Sequence, residues 1–361
     1  MRIAYVSPYS WSHPGGVNSH IKGLAREMLE RGHSVCVIAP RGKSGSCDLE
    51  VIDAGFTIPF PSNASIARIS ISPLAPLRVR NALRRGFDVV HVHEPLVPLV
   101  SVSAVLSSDS KVVGTFHAAR GGSDFTYRVA KTFLKRVHKR LGCLIAVSEA
   151  ARDYASDFFP GEYLIIPNGV NTRIFKPSRE KPEGYPAGKT VLFVGRNEKR
   201  KGVEILINAF RIVTGEVDCS LVIVGPGFGS EFLRKLDSTL RRRVFLFGEV
   251  KNEELPKFFS AAQVVCAPAL GAESFGIVLV EAMACGTPVV ASNIPGYTAV
   301  VEKTGGGITF KSGDSADLAN VLIQILSDES MRLSLSEKAI KGAGLYSWKT
   351  IADKIEACYM G

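Results

Sequence analysis

Short apolar runs alternate with amphipathic stretches along most of the chain. In the first half, an apolar strand at 2–7 precedes a glycine-rich turn, SWSHPGGV, after which apolar residues recur at helical spacing. Further strands are predicted at 35–39, 88–92, 111–115 and 143–147, each separated from the next by a helical stretch. Because strands that alternate with helices indicate a parallel sheet covered on both faces, the first half is predicted to be a Rossmann-like domain.

The same alternation restarts after a change in composition. Residues 167–190 are rich in proline, glycine and charge, which indicates an interdomain linker. The chain is thus predicted to be α/β, with an N-terminal domain at 1–170, a C-terminal domain at 171–345 and a helix at 346–361 that crosses back to the N-terminal domain. A ligand site is expected in the cleft between the domains, at the carboxyl ends of the strands. The strands predicted in the second domain are 191–196, 221–225, 244–248, 264–268 and 288–292.

One acidic and apolar run, ESFGIVLVEAMACGTP, predicts a buried helix that begins near Ser274–Gly276 and ends at Gly286–Pro288. The first turn of a helix presents unpaired N–H groups and the positive end of the helix dipole, which favour a phosphate. Glu273 precedes that turn and Glu281 lies further along the helix, so one carboxylate would hold sugar hydroxyls and the other a ribose. A salt-bridged or solvated pair of carboxylates explains the same spacing equally well.

Cations provide the remaining candidates for phosphate binding, because the chain has neither a G-x-G-x-x-G opening a domain nor a Walker lysine motif. Arg196 and Lys201, in GRNEKRKG at the end of a predicted strand, would neutralise a diphosphate, although the segment also reads as a charged surface turn. His117 ends the predicted strand of GTFH and would either face a ligand or cap backbone groups. No D-x-D sequence is present, and the seven cysteines lack metal spacing, so no metal or cofactor is expected.

Charge is unevenly distributed. The 361 residues carry a net charge of +10, most of it in the first half, which indicates an anionic partner or solvated helix faces. Because neither basic stretch carries aromatic residues suited to base stacking, nucleic acid is not the expected partner. No signal peptide or membrane-spanning run is recognised, which predicts a cytoplasmic protein or one at the inner membrane face. The basic residues lie in two stretches, Arg78, Arg80, Arg84 and Arg85, and Arg128, Lys131, Lys135, Arg136, Lys139 and Arg140.

Taken as a set, these motifs resemble those of the retaining glycosyltransferases of family 4, which have the GT-B fold. The E-x7-E spacing of ESFGIVLVE is similar to the donor-site motif of that family, and PGGVNSH, DVVHVHEP, GTFH, IPNGV and VGRNEKRKG follow in matching order over nearly the whole chain. Within the family, the chain most resembles the phosphatidyl-myo-inositol mannosyltransferases. That likeness rests on SPYSWSHPGGVNSHI, IPFPSNASIARISISP, APALGAESFG and the basic stretch after Pro76.

The resemblance implies a role for individual residues. Catalytic roles fall to His117, facing the transferred sugar, and to Arg196, Lys201 and Glu273. The chain departs from the family pattern at Ser62, where an aromatic is usual, in FHAARGGS after the histidine, and in a lysine motif one residue shorter. The implied donor-binding residues are Gly16, Arg196, Lys201, Glu273, Ser274, Phe275, Gly276 and Glu281; the implied acceptor-binding residues are Tyr9, Asn63, Ser65 and Arg68; and the implied membrane-contact residues are Arg78, Arg80, Arg84 and Arg85.

The function implied by this resemblance is transfer of mannose from GDP-mannose to the inositol of a phosphatidylinositol-type lipid at an anionic membrane surface. No side chain is an obvious nucleophile, so retention by front-face attack is expected, with the leaving phosphate assisting deprotonation of the acceptor hydroxyl. Three alternatives stay open. They are a UDP-sugar donor with another lipid or a soluble inositol phosphate as acceptor, a nucleotide-sugar epimerase, and a non-enzymatic membrane-binding module.

Overall fold

A computed structural model of the chain describes residues 1–13, 15–40, 49–62, 65–119 and 125–361. The chain divides into two compact units. The N-terminal unit comprises Met1–Gly169 and Trp348–Gly361, and the C-terminal unit comprises Val170–Ser347. The sequence predicts these boundaries at 170 and 345, and a linker at 167–190. Residues 171–188 contain no helix or strand, and they belong to the C-terminal unit.

The N-terminal unit is built on a parallel sheet of seven strands, and two further strands form a separate antiparallel hairpin. The strands are β1 (Arg2–Val6), β2 (Ser34–Ala39), β3 (Glu50–Asp53), β4 (Thr57–Ser62), β5 (Ser65–Ser70), β6 (Val89–His93), β7 (Lys111–Phe116), β8 (Cys143–Ala146) and β9 (Tyr163–Ile165). The order in the sheet is β3-β2-β1-β6-β7-β8-β9, and the hairpin pairs β4 with β5. Its helices are α1 (Gly16–Glu30), α2 (Ala75–Leu83), α3 (Val100–Ser107), α4 (Phe125–Val129), α5 (Lys131–His138) and α6 (Glu149–Ser156).

The C-terminal unit repeats this architecture with six parallel strands in the order β12-β11-β10-β13-β14-β15. The strands are β10 (Lys189–Val194), β11 (Cys219–Val224), β12 (Val244–Leu246), β13 (Val264–Ala267), β14 (Val289–Ser292) and β15 (Gly307–Phe310). The helices are α7 (Val203–Glu216), α8 (Ser230–Arg234), α9 (Ser238–Arg241), α10 (Leu255–Ala261), α11 (Ile277–Ala284), α12 (Pro295–Thr304), α13 (Ser315–Ser327) and α14 (Glu329–Ala343), with 3-10 turns at Lys199–Lys201 and Gly344–Tyr346.

Both faces of each sheet are buried. In β10, Leu192 packs into one hydrophobic cluster, whereas its neighbours Val191 and Phe193 pack into another on the opposite face. Successive side chains of a strand point to opposite faces, so a strand covered on both sides needs an unbroken apolar run. The apolar runs of the sequence therefore predicted the central strands of both sheets, and the structure confirms them.

The chain ends in a helix, α15 (Trp348–Met360), that belongs to the N-terminal unit. Ile351, Ile355 and Tyr359 join the hydrophobic cluster that includes β1 and α1. Trp348 packs so closely against α1 that a Cβ at Gly23 would lie 2.2 Å from its indole ring. Glycine at position 23 therefore makes room for the tryptophan that begins the last helix.

The sequence did not predict five of the strands. β3, β9 and β15 lie at sheet edges, and they are only three or four residues long with half-buried positions. The hairpin of β4 and β5 carries two prolines, which weakened the strand pattern. Of the seven cysteines, Cys36, Cys143, Cys219, Cys266, Cys285 and Cys358 are free thiols and at least partly buried, while Cys47 lies outside the described residues.

Candidate active site

Helix α11 begins directly after Gly276 and ends at Ala284, which confirms the predicted helix. Gly276 adopts φ +85°, and a Cβ at this position would lie 2.5 Å from the Tyr297 ring. Only glycine fits this left-handed, crowded position. Phe275, just before it, is buried and packs edge-on against Tyr346 with 5.4 Å between ring centroids. These contacts fix a helix N-terminus whose first N–H groups and dipole favour an anion.

Glu273 lies in the loop before α11, and its carboxylate contacts two cations. Lys201 Nζ lies 2.6 Å from Glu273 Oε1, and the Arg200 guanidinium donates a short hydrogen bond to the same oxygen. The three side chains are between 13% and 18% exposed. Burial opposes ionisation of the carboxyl, but Lys201 and Arg200 outweigh it and lower the pKa of Glu273 below its usual value. Glu273 is therefore an ionised carboxylate at neutral pH.

The two cations come from the segment GRNEKRKG, which follows β10 and forms a 3-10 turn. Arg200 also donates from Nε to Glu198 Oε2 at 2.8 Å, and Arg196 Nη1 lies 2.9 Å from Glu198 Oε1. The Leu270 N–H donates to the Arg200 carbonyl at 2.8 Å, which joins this segment to the loop that carries Glu273. Three cations thus share two carboxylates. We call these five side chains the Glu273 network.

The Glu273 network carries one positive charge more than it neutralises. Arg196 is the most accessible of its cations, with a side chain 48% exposed, whereas Arg200 is 13% exposed. A network with excess positive charge beside a helix N-terminus is suited to bind a diphosphate. The structure therefore brings four predicted donor residues, Arg196, Lys201, Glu273 and Gly276, to one place in the C-terminal unit, with Ser274 and Phe275 in the same loop.

Glu281 lies one turn into α11 and differs sharply from Glu273. No described residue forms an ion pair or hydrogen bond with its half-buried carboxyl. Burial raises the pKa of Glu281 to about 8. In the ligand-free protein at neutral pH, Glu281 is therefore mostly protonated and able to donate as well as accept a hydrogen bond.

In the N-terminal unit, the predicted donor residue Gly16 is the first residue of α1. A Cβ added at Gly15 or Gly16 would meet no atom within 4 Å, so this turn borders open space. The backbone here is exposed, and no side chain among the described residues fills the volume beside it.

Two of the predicted acceptor residues, Tyr9 and Arg68, lie on neighbouring backbone segments. Tyr9 forms an isolated antiparallel bridge with Ile69 of β5, and the Ser10 N–H donates to the Arg68 carbonyl at 2.9 Å. Tyr9 is half-buried, with burial raising its pKa, and Arg68 is exposed. Ser65 is the first residue of β5, and Asn63 lies outside the described residues. The hairpin strand that carries Arg68 therefore runs directly beside Tyr9.

His117 follows β7 and contacts two other histidines that the sequence analysis did not select. His93 Nδ1 lies 2.9 Å from His117 Nε2, and the ring of His20 stands edge-on to His117 at 5.0 Å between centroids. The His117 backbone N–H donates to Glu94 Oε1 at 2.9 Å. Burial lowers the pKa of all three imidazoles well below the ordinary value, and it raises the pKa of Glu94 to about 7. His117 is thus a neutral imidazole at physiological pH.

The four arginines predicted to contact a membrane lie on or just after α2, and all are exposed. Two of them are engaged: Arg78 Nη1 lies 2.7 Å from Asp53 Oδ2, and Arg85 Nη1 lies 2.5 Å from Glu50 Oε1. Arg80 and Arg84 form no ion pair with any described residue. Leu74 and Leu77, 53% and 58% exposed, accompany them on the surface. Within the described part of the chain, no helix has the length and apolarity needed to cross a bilayer.

Sequence reasoning therefore missed Glu198, Arg200, His20, His93 and Glu94. All five stand in motifs that the sequence analysis quotes without assigning them a role. Glu198 and Arg200 belong to GRNEKRKG, His20 belongs to PGGVNSH, and His93 and Glu94 belong to DVVHVHEP. The pairing of Arg200 with a glutamate 73 positions away has no local signature, so only the folded chain reveals it.

Solved structures share this architecture. Sucrose-phosphate synthase from Thermosynechococcus elongatus matches with a TM-score of 0.78 at 23% identity, covering 99% of this chain and 98% of that one. HepE from Anabaena, in complex with UDP, matches with a TM-score of 0.76 at 21% identity, covering 99% of both chains. The fold is therefore GT-B, with two Rossmann-like domains.

Sequence comparisons narrow this class. The model for Glycosyltransferase Family 4 matches residues 14–174, and that for Glycosyl transferases group 1 matches residues 175–342. The phosphatidyl-myo-inositol mannosyltransferase of Mycobacterium leprae is 39% identical over 99% of this chain and 96% of that protein. The enzyme of the same name from Mycolicibacterium smegmatis is 36% identical over 99% of this chain and 93% of that protein. The chain belongs to glycosyltransferase family 4.

Proposed function

We propose that this glycosyltransferase moves mannose from GDP-mannose to the inositol ring of a phosphatidylinositol-type lipid, at the inner face of the cytoplasmic membrane. The observation that carries the proposal is the Glu273 network beside the N-terminus of α11. The names of the relatives that match nearly the whole chain support mannose as the sugar and phosphatidylinositol as the acceptor.

In this proposal the C-terminal unit binds the donor. The first turn of α11 donates backbone N–H groups to the diphosphate, and Arg196 and Lys201 supply positive charge. Glu273 accepts hydrogen bonds from sugar hydroxyls, which requires the ionised state that its two cations maintain. Glu281 holds the ribose hydroxyls. Its raised pKa suits this role, because a protonated carboxyl both donates and accepts a hydrogen bond.

The N-terminal unit binds the lipid headgroup. Arg68 is an exposed cation on β5, beside Tyr9, and its guanidinium would pair with the phosphate of phosphatidylinositol. Arg80 and Arg84 would meet anionic lipids, with Leu74 and Leu77 entering the headgroup boundary. Arg78 and Arg85 contribute less, because each already pairs with a carboxylate.

The chemistry proposed is retention through front-face attack. As the bond to the diphosphate breaks, negative charge grows on the leaving phosphate, where Arg196, Lys201 and the α11 dipole stabilise it. The inositol hydroxyl attacks the anomeric carbon from the same face and passes its proton to the leaving phosphate. The neutral imidazole of His117 hydrogen-bonds the transferred sugar, and its low pKa keeps it uncharged beside a carbon that becomes cation-like.

Liposome assays with the purified enzyme test this proposal. We expect radiolabel from GDP-mannose to enter the lipid fraction of vesicles that contain phosphatidylinositol, and to stay in the aqueous phase when phosphatidylglycerol replaces it. NMR of the product should show that the anomeric configuration of the donor is retained.

Three results would contradict the proposal, each in a different way. Transfer from UDP-sugars but not GDP-mannose would reject the donor. Equal transfer to soluble inositol phosphate without vesicles would reject the lipid acceptor. A change in donor stereochemistry without any acceptor would instead indicate an epimerase.

A further inference from the structure

Three histidines from distant parts of the sequence meet inside the N-terminal unit. His20 lies on α1, His93 ends β6, and His117 follows β7. Their ring centroids are 5.0–5.3 Å apart, and one ring nitrogen of each lies within 4.8 Å of those of the other two. The residues are 1%, 0% and 8% exposed. We call these residues the histidine cluster.

Three of the six ring nitrogens of the histidine cluster lack the hydrogen bonds that burial demands. The contact between His93 Nδ1 and His117 Nε2, at 2.9 Å, joins two of the rings. Both nitrogens of His20 and Nε2 of His93 make no hydrogen bond of normal geometry within the described residues, and the Asn168 side chain is a polar neighbour of His20. Leaving a buried polar atom unsatisfied costs about 1–3 kcal/mol, so three in one place require an explanation.

The neighbouring His91 shows how the same fold satisfies a structural histidine. Its Nδ1 lies 2.7 Å from the Tyr359 hydroxyl, and its Nε2 lies 2.6 Å from the Thr115 hydroxyl. His91 stacks on His93 with 4.4 Å between centroids, so both occupy one environment. The missing partners of His20 and His93 are therefore particular to the histidine cluster.

We propose that His20, His93 and His117 form a binding site for a transition-metal dication such as Zn²⁺. Three neutral imidazoles are a common ligand set for zinc, with a fourth position left to water. Zn–N bonds of about 2.0–2.1 Å in tetrahedral geometry place ligand nitrogens about 3.3 Å apart, which small side-chain movements reach from the present spacing. Mg²⁺ and Ca²⁺ prefer oxygen ligands and do not suit this site.

The surroundings favour such an ion. The Glu94 carboxyl, which accepts a hydrogen bond from the His117 N–H, lies beside the third ligand and would balance part of the charge. His117, the most exposed of the three, would face the remaining ligand position.

Metal binding has a consequence for catalysis that rests on the proposed function. His117 is there assigned to the transferred sugar, and a nitrogen bound to zinc is no longer available to a hydroxyl. Micromolar Zn²⁺ should therefore inhibit transfer, and a chelator should restore it. Metal binding itself does not depend on the glycosyl reaction, so the two proposals fail separately.

Titration of the full-length protein with Zn²⁺ and Co²⁺ tests the site directly. After treatment with a chelator and dialysis, we expect about one equivalent of Zn²⁺ to bind with micromolar or tighter affinity, measured by competition with a chromophoric chelator. Co²⁺ should give the intense visible absorption bands of a tetrahedral site. His20→Phe and His93→Gln should each weaken binding at least about 100-fold, because each removes one of three ligands.

Controls separate loss of a ligand from loss of the fold. His138→Phe removes a half-buried histidine of the same unit whose Nε2 pairs with the Tyr163 hydroxyl, and it should leave binding unchanged. Circular dichroism and melting temperature establish that each variant is folded, and His20→Gln replaces His20→Phe if the larger residue unfolds the chain. Absence of binding below 100 μM Zn²⁺, or binding that survives in folded His20 and His93 variants, would overturn the proposal.

Discussion

The two candidate sites of this glycosyltransferase, the Glu273 network and the histidine cluster, accommodate buried polar groups in opposite ways. The Glu273 network is charged, and its carboxylates and cations compensate one another at close range. The histidine cluster is neutral, because burial suppresses protonation, and three of its six ring nitrogens lack a hydrogen bond within the described residues. Because the ion pairs of the Glu273 network leave an excess positive charge, it can bind an anion without rearranging its side chains. A neutral, unsatisfied cluster can instead accept a hydroxyl or a metal ion.

Removing the Glu273 carboxylate from the Glu273 network should have the largest effect on activity. Glu273→Ala removes the proposed acceptor of sugar hydroxyls and leaves Lys201 and Arg200 without their carboxylate. We expect kcat/KM for sugar transfer to fall by about 10²–10³, the scale found when one preorganised electrostatic group is removed from an active site. Glu302→Ala, at an exposed position of α12, is the control and should keep full activity. A folded Glu273→Ala enzyme with normal kcat/KM would show that the network is structural.

The contrast between the two glutamates near α11 gives the next prediction. Since the pKa of Glu281 is raised to about 8, its contribution to stability is fully present below the unfolded value of 4.5 and is lost as pH rises through 8. Glu281→Gln cannot ionise, so at pH 9 it should be more stable than the wild type by about 4–5 kcal/mol, and nearly equal at pH 4.5. Chemical denaturation at the two pH values measures this. Parallel pH profiles would mean that Glu281 is solvated in the folded protein.

A smaller effect is expected from a single cation of the network. Lys201→Ala should weaken binding of a nucleoside diphosphate by about tenfold, because one of the two cations assigned to the diphosphate is lost. Lys199→Ala is a matched control, since Lys199 is exposed in the same 3-10 turn and forms no ion pair among the described residues. Calorimetry should distinguish the two variants. Equal losses would indicate general attraction by a basic surface turn.

The smallest predicted effect is a loss of stability at His91, the buried histidine that stacks on the histidine cluster. Tyr359→Phe leaves Nδ1 of buried His91 without its partner and should lower the free energy of unfolding by about 1 kcal/mol. Tyr127→Phe, which removes a hydroxyl with no hydrogen bond to any described residue, is the control and should change stability little. If the two variants were equally stable, the polar pairing of His91 would not distinguish it from the histidine cluster.

The sequence predicts features that have a local signal, and it does not predict contacts between residues that are distant in the chain. Apolar runs predicted the central strands, because a strand buried on both faces needs an apolar residue at every position. The helix start at Gly276 was also predictable, because Ser-Phe-Gly before an apolar run is a local signal. By contrast, the partner of Glu273 depends on a loop that follows another strand, and the histidine cluster joins three separate motifs. Contacts of this kind arise from tertiary packing, so no local pattern encodes them.

The membrane-contact prediction shows a similar limit. The sequence correctly indicates that α2 and the residues just after it are basic. It does not predict that Arg78 pairs with Asp53 or that Arg85 pairs with Glu50. Both acids lie on β3, an edge strand that the sequence did not predict. Counting charges therefore overstated the free positive charge of this surface by two.

Calorimetric titration of the wild type and Glu273→Gln with GDP-mannose, GDP and UDP tests the central claim most directly. The claim is that the Glu273 network and the first turn of α11 form the donor site. It predicts selective binding of GDP and GDP-mannose by the wild type, and a loss in Glu273→Gln that is larger for GDP-mannose than for GDP, because only the former carries the sugar. Equal affinities of the two proteins for GDP-mannose, or no nucleotide binding by the wild type, would contradict it.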